Sequence, residues 1–421
     1  MIQIFELFPG IVLRCYQDNR FKHGCLSLQF LRQMRREEAA CNALIPALLL
    51  RGTQNHPDLR AITLKLDDLY GASVNALVRR IGDYQTTGLF CSFMEDRFAL
   101  SGDEILAPMI DFLGELLLRP LTEGNGFSKD FVESEKRNLI LTLESEINDK
   151  RTYAAAQLLK TMCSADSFGI PRLGEKQTAQ AIDPVSAYAH YQTVLRESPV
   201  SLFYVGATQP ERVANLLKKL FSNIPRNYQP IENQTPFCDG GGQHKVETMD
   251  VSQAKLCMGF VTPIVNTSPE FAAMQVCNAL YGAGMTSKLF LNIREKMSLC
   301  YSIGSGYYSS KGIMTVSAGI DACNEETARE EILRQLKLCR DGEITPEELQ
   351  SAKESILSGL RGVHDSPGAI EGYYGTHCIS GFPLTLAQHA QAIREVTVSQ
   401  VAAAAQSLHY HSSFVLKGVT P

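Results

Sequence analysis

The chain has 421 residues, and a single hydrophobic core stops growing at about 250–300 residues, so two or more domains are expected. Its net charge of −5 excludes general binding to nucleic acid or anionic membrane, which requires a concentrated basic face. With 44% apolar and 20% charged residues, the composition is that of a soluble globular protein.

The N-terminal stretch MIQIFELFPGIVLRCYQDNR lacks a basic region followed by a long apolar run, so it does not read as a signal peptide. The runs 11-IVLRCY-16 and 25-CLSLQFL-31 read as strands, and a helix is expected over 37–50. Within it, 41-CNALIPALLLRGT-53 presents an apolar face interrupted by Pro46. Proline removes a backbone donor and costs a helix interior roughly 3 kcal/mol. Because a first turn tolerates proline, this helix is expected to begin late, near Ile45. A helix over 57–70 precedes two strands, 73-SVNALVRR-80 and 85-QTTGLFCSF-93, joined through Gly82-Asp83. Helices over 103–118 and 128–148, further helices and the strand 201-SLFYVGA-207 complete this half. Apolar runs such as 47-ALLL-50 are far too short to span a membrane, so a cytoplasmic location is expected.

Residues 222–244 are rich in Pro, Asn, Gln and Gly and read as a linker between domains 1–221 and 245–421. Gly240, Gly241 and Gly242 lack the Lys-Ser/Thr pair and following helix of a phosphate loop. Beyond the linker, the strand 254-AKLCMGFVT-262 leads to helices near 268–281 and 286–297. Strands 300-CYSIGSGYY-308 and 313-IMTVSAGI-320 follow, then helices near 324–340, 346–362, 366–379 and 397–407 and the strand 413-SFVLKG-418. The stretches 64–93 and 291–320 share the order helix, small-residue turn, strand, turn, strand. That repeat predicts an α+β protein of two homologous α/β domains, each a mostly antiparallel sheet covered by helices.

Twelve Cys without C-x-x-C pairs read as buried free thiols. His409 and His411 sit two apart, on one face of a strand, without an acidic third ligand, and are expected as solvated or edge-strand histidines. Glu133, Glu135, Glu144 and Glu146 read as a solvated helix face beside Lys136 and Arg137.

Taken together, the chain resembles the insulinase/pitrilysin family of zinc peptidases over nearly its whole length. The stretch 289-LFLNIREKMSLCYSIGSGYY-308 is similar to the family's segment carrying an Arg-Glu-Lys, a Leu and a Tyr. The stretches 174-GEKQTAQAIDPVSAYAHYQ-192, 346-PEELQSAKESILSGLRGVHDSP-367 and 394-REVTVSQVAAAA-405 also resemble the family. The resemblance implies paired α/β domains, with two such pairs enclosing a chamber, so a partner chain is implied.

An active member carries His-x-x-Glu-His on a helix: the histidines hold zinc and the Glu takes a proton from zinc-bound water. A Glu from a later helix is the third ligand. Counting back from the anchor Gly52-Thr53 puts Ala43 and Ala47 at the histidine positions and Pro46 at the base. Counting seven on from Glu135 puts Thr142 at the third ligand. No metal is therefore expected in this chain, and zinc is expected only in a partner. The Arg and Tyr that hold substrate backbone and oxyanion in the family correspond to Arg294 and Tyr301, both retained.

These features imply a protein that is not an enzyme on its own. It resembles a short, motif-less bacterial branch, including its 146-EINDKRTYA-154. The expected role is partner subunit of a motif-bearing homologue, in a heterodimer or a homodimer, with Arg294 and Tyr301 lent to a peptide substrate. The alternative is a peptide-binding or scaffold protein with no part in hydrolysis.

Overall fold

A computed structural model describes residues 2–418 of the chain. They form two compact units. The first comprises the chain up to Glu144, Ile170–Gln234 and His364–Ile379; the second comprises Ser145–Gly169, Thr235–Val363 and the chain from Ser380 onward.

The first unit is built on strands β1 (Ile2–Phe8), β2 (Ile11–Gln17), β3 (His23–Gln33), β4 (Ser73–Ile81) and β5 (Tyr84–Met94). A short pair, β6 (Thr122–Glu123) and β7 (Gly126–Phe127), stands apart, and β8 (Val200–Gly206) inserts into the main sheet, whose order is β1-β2-β8-β3-β5-β4. Its helices are α1 (Arg36–Leu49), α2 (Leu59–Asp68), α3 (Leu106–Leu118), α4 (Lys129–Ser145), α6 (Lys176–Gln180), α7 (Pro184–Glu197) and α8 (Pro210–Phe221), with α5 (Lys150–Met162) assigned to the second unit.

Alternation along β3 directs Leu26, Leu28 and Phe30 into one core with Leu44 and Leu48 of α1 and Leu113, Leu116 and Leu117 of α3. Full burial of each such side chain is worth about 1.5–3 kcal/mol.

The second unit has strands β9 (His244–Thr248), β10 (Ala254–Val261), β11 (Cys300–Tyr308), β12 (Ile313–Ile320) and β13 (His409–Lys417), in the order β11-β12-β10-β13-β9. Its helices are α9 (Phe271–Tyr281), a π-helix (Leu289–Lys296), α10 (Glu325–Arg340), α11 (Pro346–Gly362), α13 (Leu386–Glu395) and α14 (Val398–Gln406), while α12 (Pro367–Ser380) falls almost wholly in the first unit.

The duplication is legible in the sheets. The run β4-β5-β3-β8-β2 of the first matches β11-β12-β10-β13-β9 of the second, strand for strand. In both, the one parallel pair is the last, β8 with β2 and β13 with β9. The fold is α+β, with mostly antiparallel sheets covered by helices.

The two halves also exchange a helix. α5, from the first half of the chain, packs Ala154 and Leu158 against Cys257, Phe414 and Leu416 in the second unit. α12, from the second half, lies in the first unit, where Tyr374 stacks on Tyr16 and Phe203 at 5.8 and 6.5 Å. There the fully buried Glu371 accepts from both Arg79 terminal nitrogens, at 3.0 and 2.7 Å. The expected halves, 1–221 and 245–421, thus each lend a helix to the other's unit.

The stretch 222–244 has no regular structure between Phe221 and His244, yet polar contacts hold it. Tyr84 Oη donates to Glu232 O at 2.8 Å in the first unit. In the second, Asp166 Oδ2 accepts from Cys238 N at 2.8 Å and from the buried Lys311 at 3.2 Å. His411 faces Asp239 Oδ1 at 2.8 Å. It also falls where β13 shifts register against β10, between the partners of Gly259 and Phe260, so the strand alternation that would align it with His409 is broken.

Candidate functional site

The helix that would carry a metal is α1, and the structure corrects where it begins. It starts at Arg36, and Pro46 lies buried inside it rather than in its first turn. Pro46 has no N–H for the carbonyl of Asn42, four residues back. That carbonyl accepts instead from Thr87 Oγ1 of β5 at 2.6 Å, and Thr87 is 1% exposed. An inserted side-chain donor thus replaces the missing bond and satisfies a buried acceptor.

The same turn is tied in further. Asn42 Nδ2 donates to Gln85 Oε1 at 3.0 Å, and His190 Nε2 donates to Asn42 Oδ1 at 2.7 Å. Gln85 Nε2 donates to the carbonyls of Ala39 and Arg172 at 2.9 and 2.7 Å. Burial pushes the His190 pKa down, favouring the neutral imidazole this network uses. Sequence reasoning missed this network, because none of these residues matches a motif.

The metal positions supply no zinc donor. Ala43 is buried and Ala47 half-buried. Thr142, exposed on α4, donates its hydroxyl to Asn138 O at 2.9 Å. Zinc takes thiolate, imidazole or carboxylate, and methyl groups and a proline ring are none of these. Among the described residues, no group of three or more His, Cys, Asp or Glu is placed to hold a metal ion.

The structural end of the motif survives. A Cβ at Gly52 would meet Pro57 O at 2.6 Å, so only glycine fits. Buried Thr53 bonds Glu115, which also accepts from His56 Nδ1 at 2.8 Å. Arg51 reaches Glu135 Oε1 at 3.2 Å, and Glu133 pairs with Lys136 at 2.8 Å, so the acidic face of α4 is engaged in surface pairs.

Arg294 and Tyr301 lie in the second unit, in a segment of irregular backbone. The helix Leu289–Lys296 is a π-helix, with Met297 N donating to Asn292 O at 3.1 Å, five residues back. Its buried Leu289 and Ile293 leave Arg294 exposed, with its guanidinium carbon 4.6 Å over the Phe290 ring. Arg294 Nε stands 3.8 Å from Glu295 Oε1, a loose surface pair. Ser298 adopts a positive φ of 52°. Tyr301 is then the extra residue of a β-bulge: Cys300 pairs with Ile320 and Ser302 with Gly319, leaving Tyr301 without a partner across the ladder.

Tyr301 is 56% exposed, and its hydroxyl donates to Asp321 Oδ1 at 3.2 Å. The Asp321 charge raises the Tyr301 pKa, so the phenol stays protonated. A π-helix, a left-handed serine and a bulge in succession are the kind of strain that collects where a side chain must be aimed. Sequence reading singled out Arg294 and Tyr301 but neither Phe290 nor Asp321.

The family described as Peptidase M16 inactive domain matches residues 182–356. The probable inactive metalloprotease YmfF of Bacillus subtilis is 27% identical over 409 residues, covering 97% of this chain and 96% of its own. The chain is similar to the insulinase (M16) peptidase family, most closely to its inactive members among these matches. Among solved structures, a conserved protein from Enterococcus faecalis superposes with a TM-score of 0.93 at 26% identity, covering 100% of this chain and 99% of its own. The M16 inactive domain from Pseudomonas fluorescens follows, with a TM-score of 0.82 at 17% identity, covering 100% and 98%. With no zinc donor at Ala43, Pro46, Ala47 or Thr142, this M16 homologue is of the inactive kind.

Proposed function

We propose that the chain is the non-catalytic subunit of a two-chain M16 peptidase in the cytoplasm, with zinc bound only by a motif-bearing partner. Arg294 and Tyr301 reach a peptide bound at the partner's site, where they hold its backbone and where the Arg294 guanidinium stabilises developing negative charge. The observation that carries this reading is the split between the two units. Every metal and base position is replaced in one, whereas Arg294 and Tyr301 stand exposed on a specially shaped backbone in the other.

The test is to co-purify the chain with a zinc-bearing homologue from the same genome and assay peptide cleavage. Combining Arg294→Ala with Tyr301→Phe is expected to lower kcat/KM by about 10²–10³-fold, the usual cost of one lost oxyanion donor. Unchanged activity would sink the subunit role and favour a scaffold that takes no part in hydrolysis.

A further inference from the structure

We propose that Asp321 makes Tyr301 a hydrogen-bond acceptor, so that this chain holds a peptide's backbone N–H through Tyr301 and its carbonyl through Arg294. This inference rests on the subunit reading above and specifies how the two side chains divide the work.

The argument starts from hydrogen-bond capacity. A phenol has one proton to donate and lone pairs to accept with. The Tyr301 proton is committed to Asp321, with Oδ1 at 3.2 Å and Oδ2 at 3.5 Å. The hairpin register makes this contact. Cys300 lies opposite Ile320, so Asp321 follows directly beyond the open end of the ladder, one step from the bulged Tyr301. The bulge frees Tyr301 from pairing and turns it toward that end. A carboxylate beside the phenol also draws its proton outward and strengthens the oxygen as an acceptor.

Arg294 has the opposite capacity: a guanidinium only donates. It rests on the Phe290 ring and stands 3.8 Å from Glu295, beyond hydrogen-bond reach. A peptide unit offers one N–H and one C=O, which one acceptor and one donor complement. Such a pair reads backbone rather than side chains, so the ligand class is an extended peptide of little sequence preference. Because a ground-state amide N–H persists through the reaction, the Tyr301 contact is uniform binding and appears in KM rather than kcat.

Two measurements on the co-purified complex decide this. In steady-state kinetics, Tyr301→Phe raises KM about tenfold with kcat held. Asp321→Ala raises KM several-fold, and Asp321→Asn, which keeps an acceptor oxygen, restores KM to near the wild-type value. A fall in kcat with KM held for Tyr301→Phe assigns Tyr301 to the oxyanion and overturns this inference while leaving the subunit reading intact. No effect on either constant from Tyr301→Phe and from Arg294→Ala removes the subunit reading and this inference with it. The second measurement, NMR titration of ¹³C-labelled tyrosine in the isolated chain, reads the contact without any activity. The Tyr301 phenol titrates at lower pH in Asp321→Ala than in wild type, and an unmoved midpoint overturns the proposal.

Discussion

Thr87 is what makes Pro46 acceptable in the middle of α1. The proline strips a bond from the Asn42 carbonyl, and the Thr87 hydroxyl restores it at 2.6 Å. Thr87→Val keeps the shape and removes the donor, leaving a buried carbonyl unsatisfied at a cost of about 1–3 kcal/mol. In a Pro46→Ala background, residue 46 regains an N–H that reaches the same carbonyl, so the cost of Thr87→Val shrinks toward zero. A double-mutant cycle by urea unfolding measures this as a coupling of about 1 kcal/mol or more. Equal costs in both backgrounds would show that Thr87 does not compensate for Pro46. The reading of Ala43 and Ala47 at the histidine positions and of Pro46 at the base position comes from counting back from Gly52-Thr53. The accommodation of Pro46 is not legible in the sequence, because its partner lies 45 residues from Asn42 on a strand of another local pattern.

Among elements, those with strong local periodicity came through most clearly. The second hairpin is found over Cys300–Tyr308 and Ile313–Ile320, as the alternation predicts, and α11 spans Pro346–Gly362 as expected. The π-helix was invisible, since the spacing of apolar residues over Leu289–Lys296 does not distinguish a five-residue from a four-residue backbone bond. α13 lies outside the predicted elements. It carries His389, 2% exposed, ringed by Phe271 and Phe382 and bonded to Gln275.

Burial lowers the His389 pKa from 6.5 to about 4. Between those values the unfolded chain binds a proton that the folded chain does not, so stability rises with pH across that window and is lost as pH falls through it. The expected outcome is a drop in urea midpoint from pH 7 to pH 4 that is shallower in His389→Leu than in wild type. Parallel pH profiles for the two proteins would remove His389 as the source. Comparing slopes keeps the test valid if the substitution itself costs stability.

At the scale of the whole molecule, the duplicated sheet order is what the repeated stretches 64–93 and 291–320 announced, and the helix exchange is what they concealed. Periodicity marks α5 and α12 as helices with an apolar side, but nothing in a helix's own period says which sheet it covers. The exchange has a consequence for dissection. Cutting between Gln234 and Thr235 leaves the first unit without α12, and so without Glu371 for Arg79 and Tyr374 for Tyr16 and Phe203. The second unit loses α5 and with it the Ala154 and Leu158 side of a core shared with Phe414 and Leu416. Each fragment then exposes a sheet face that the intact chain covers, and a buried cluster is lost from both. Expressed singly, residues 1–234 and 235–421 are expected to unfold without a cooperative transition or to aggregate. Co-expressed, they are expected to co-purify and to recover one sharp thermal transition, because each carries the helix the other lacks. A fragment 1–234 that melts cooperatively by itself, near the temperature of the intact chain, would show that α12 contributes little to the first unit.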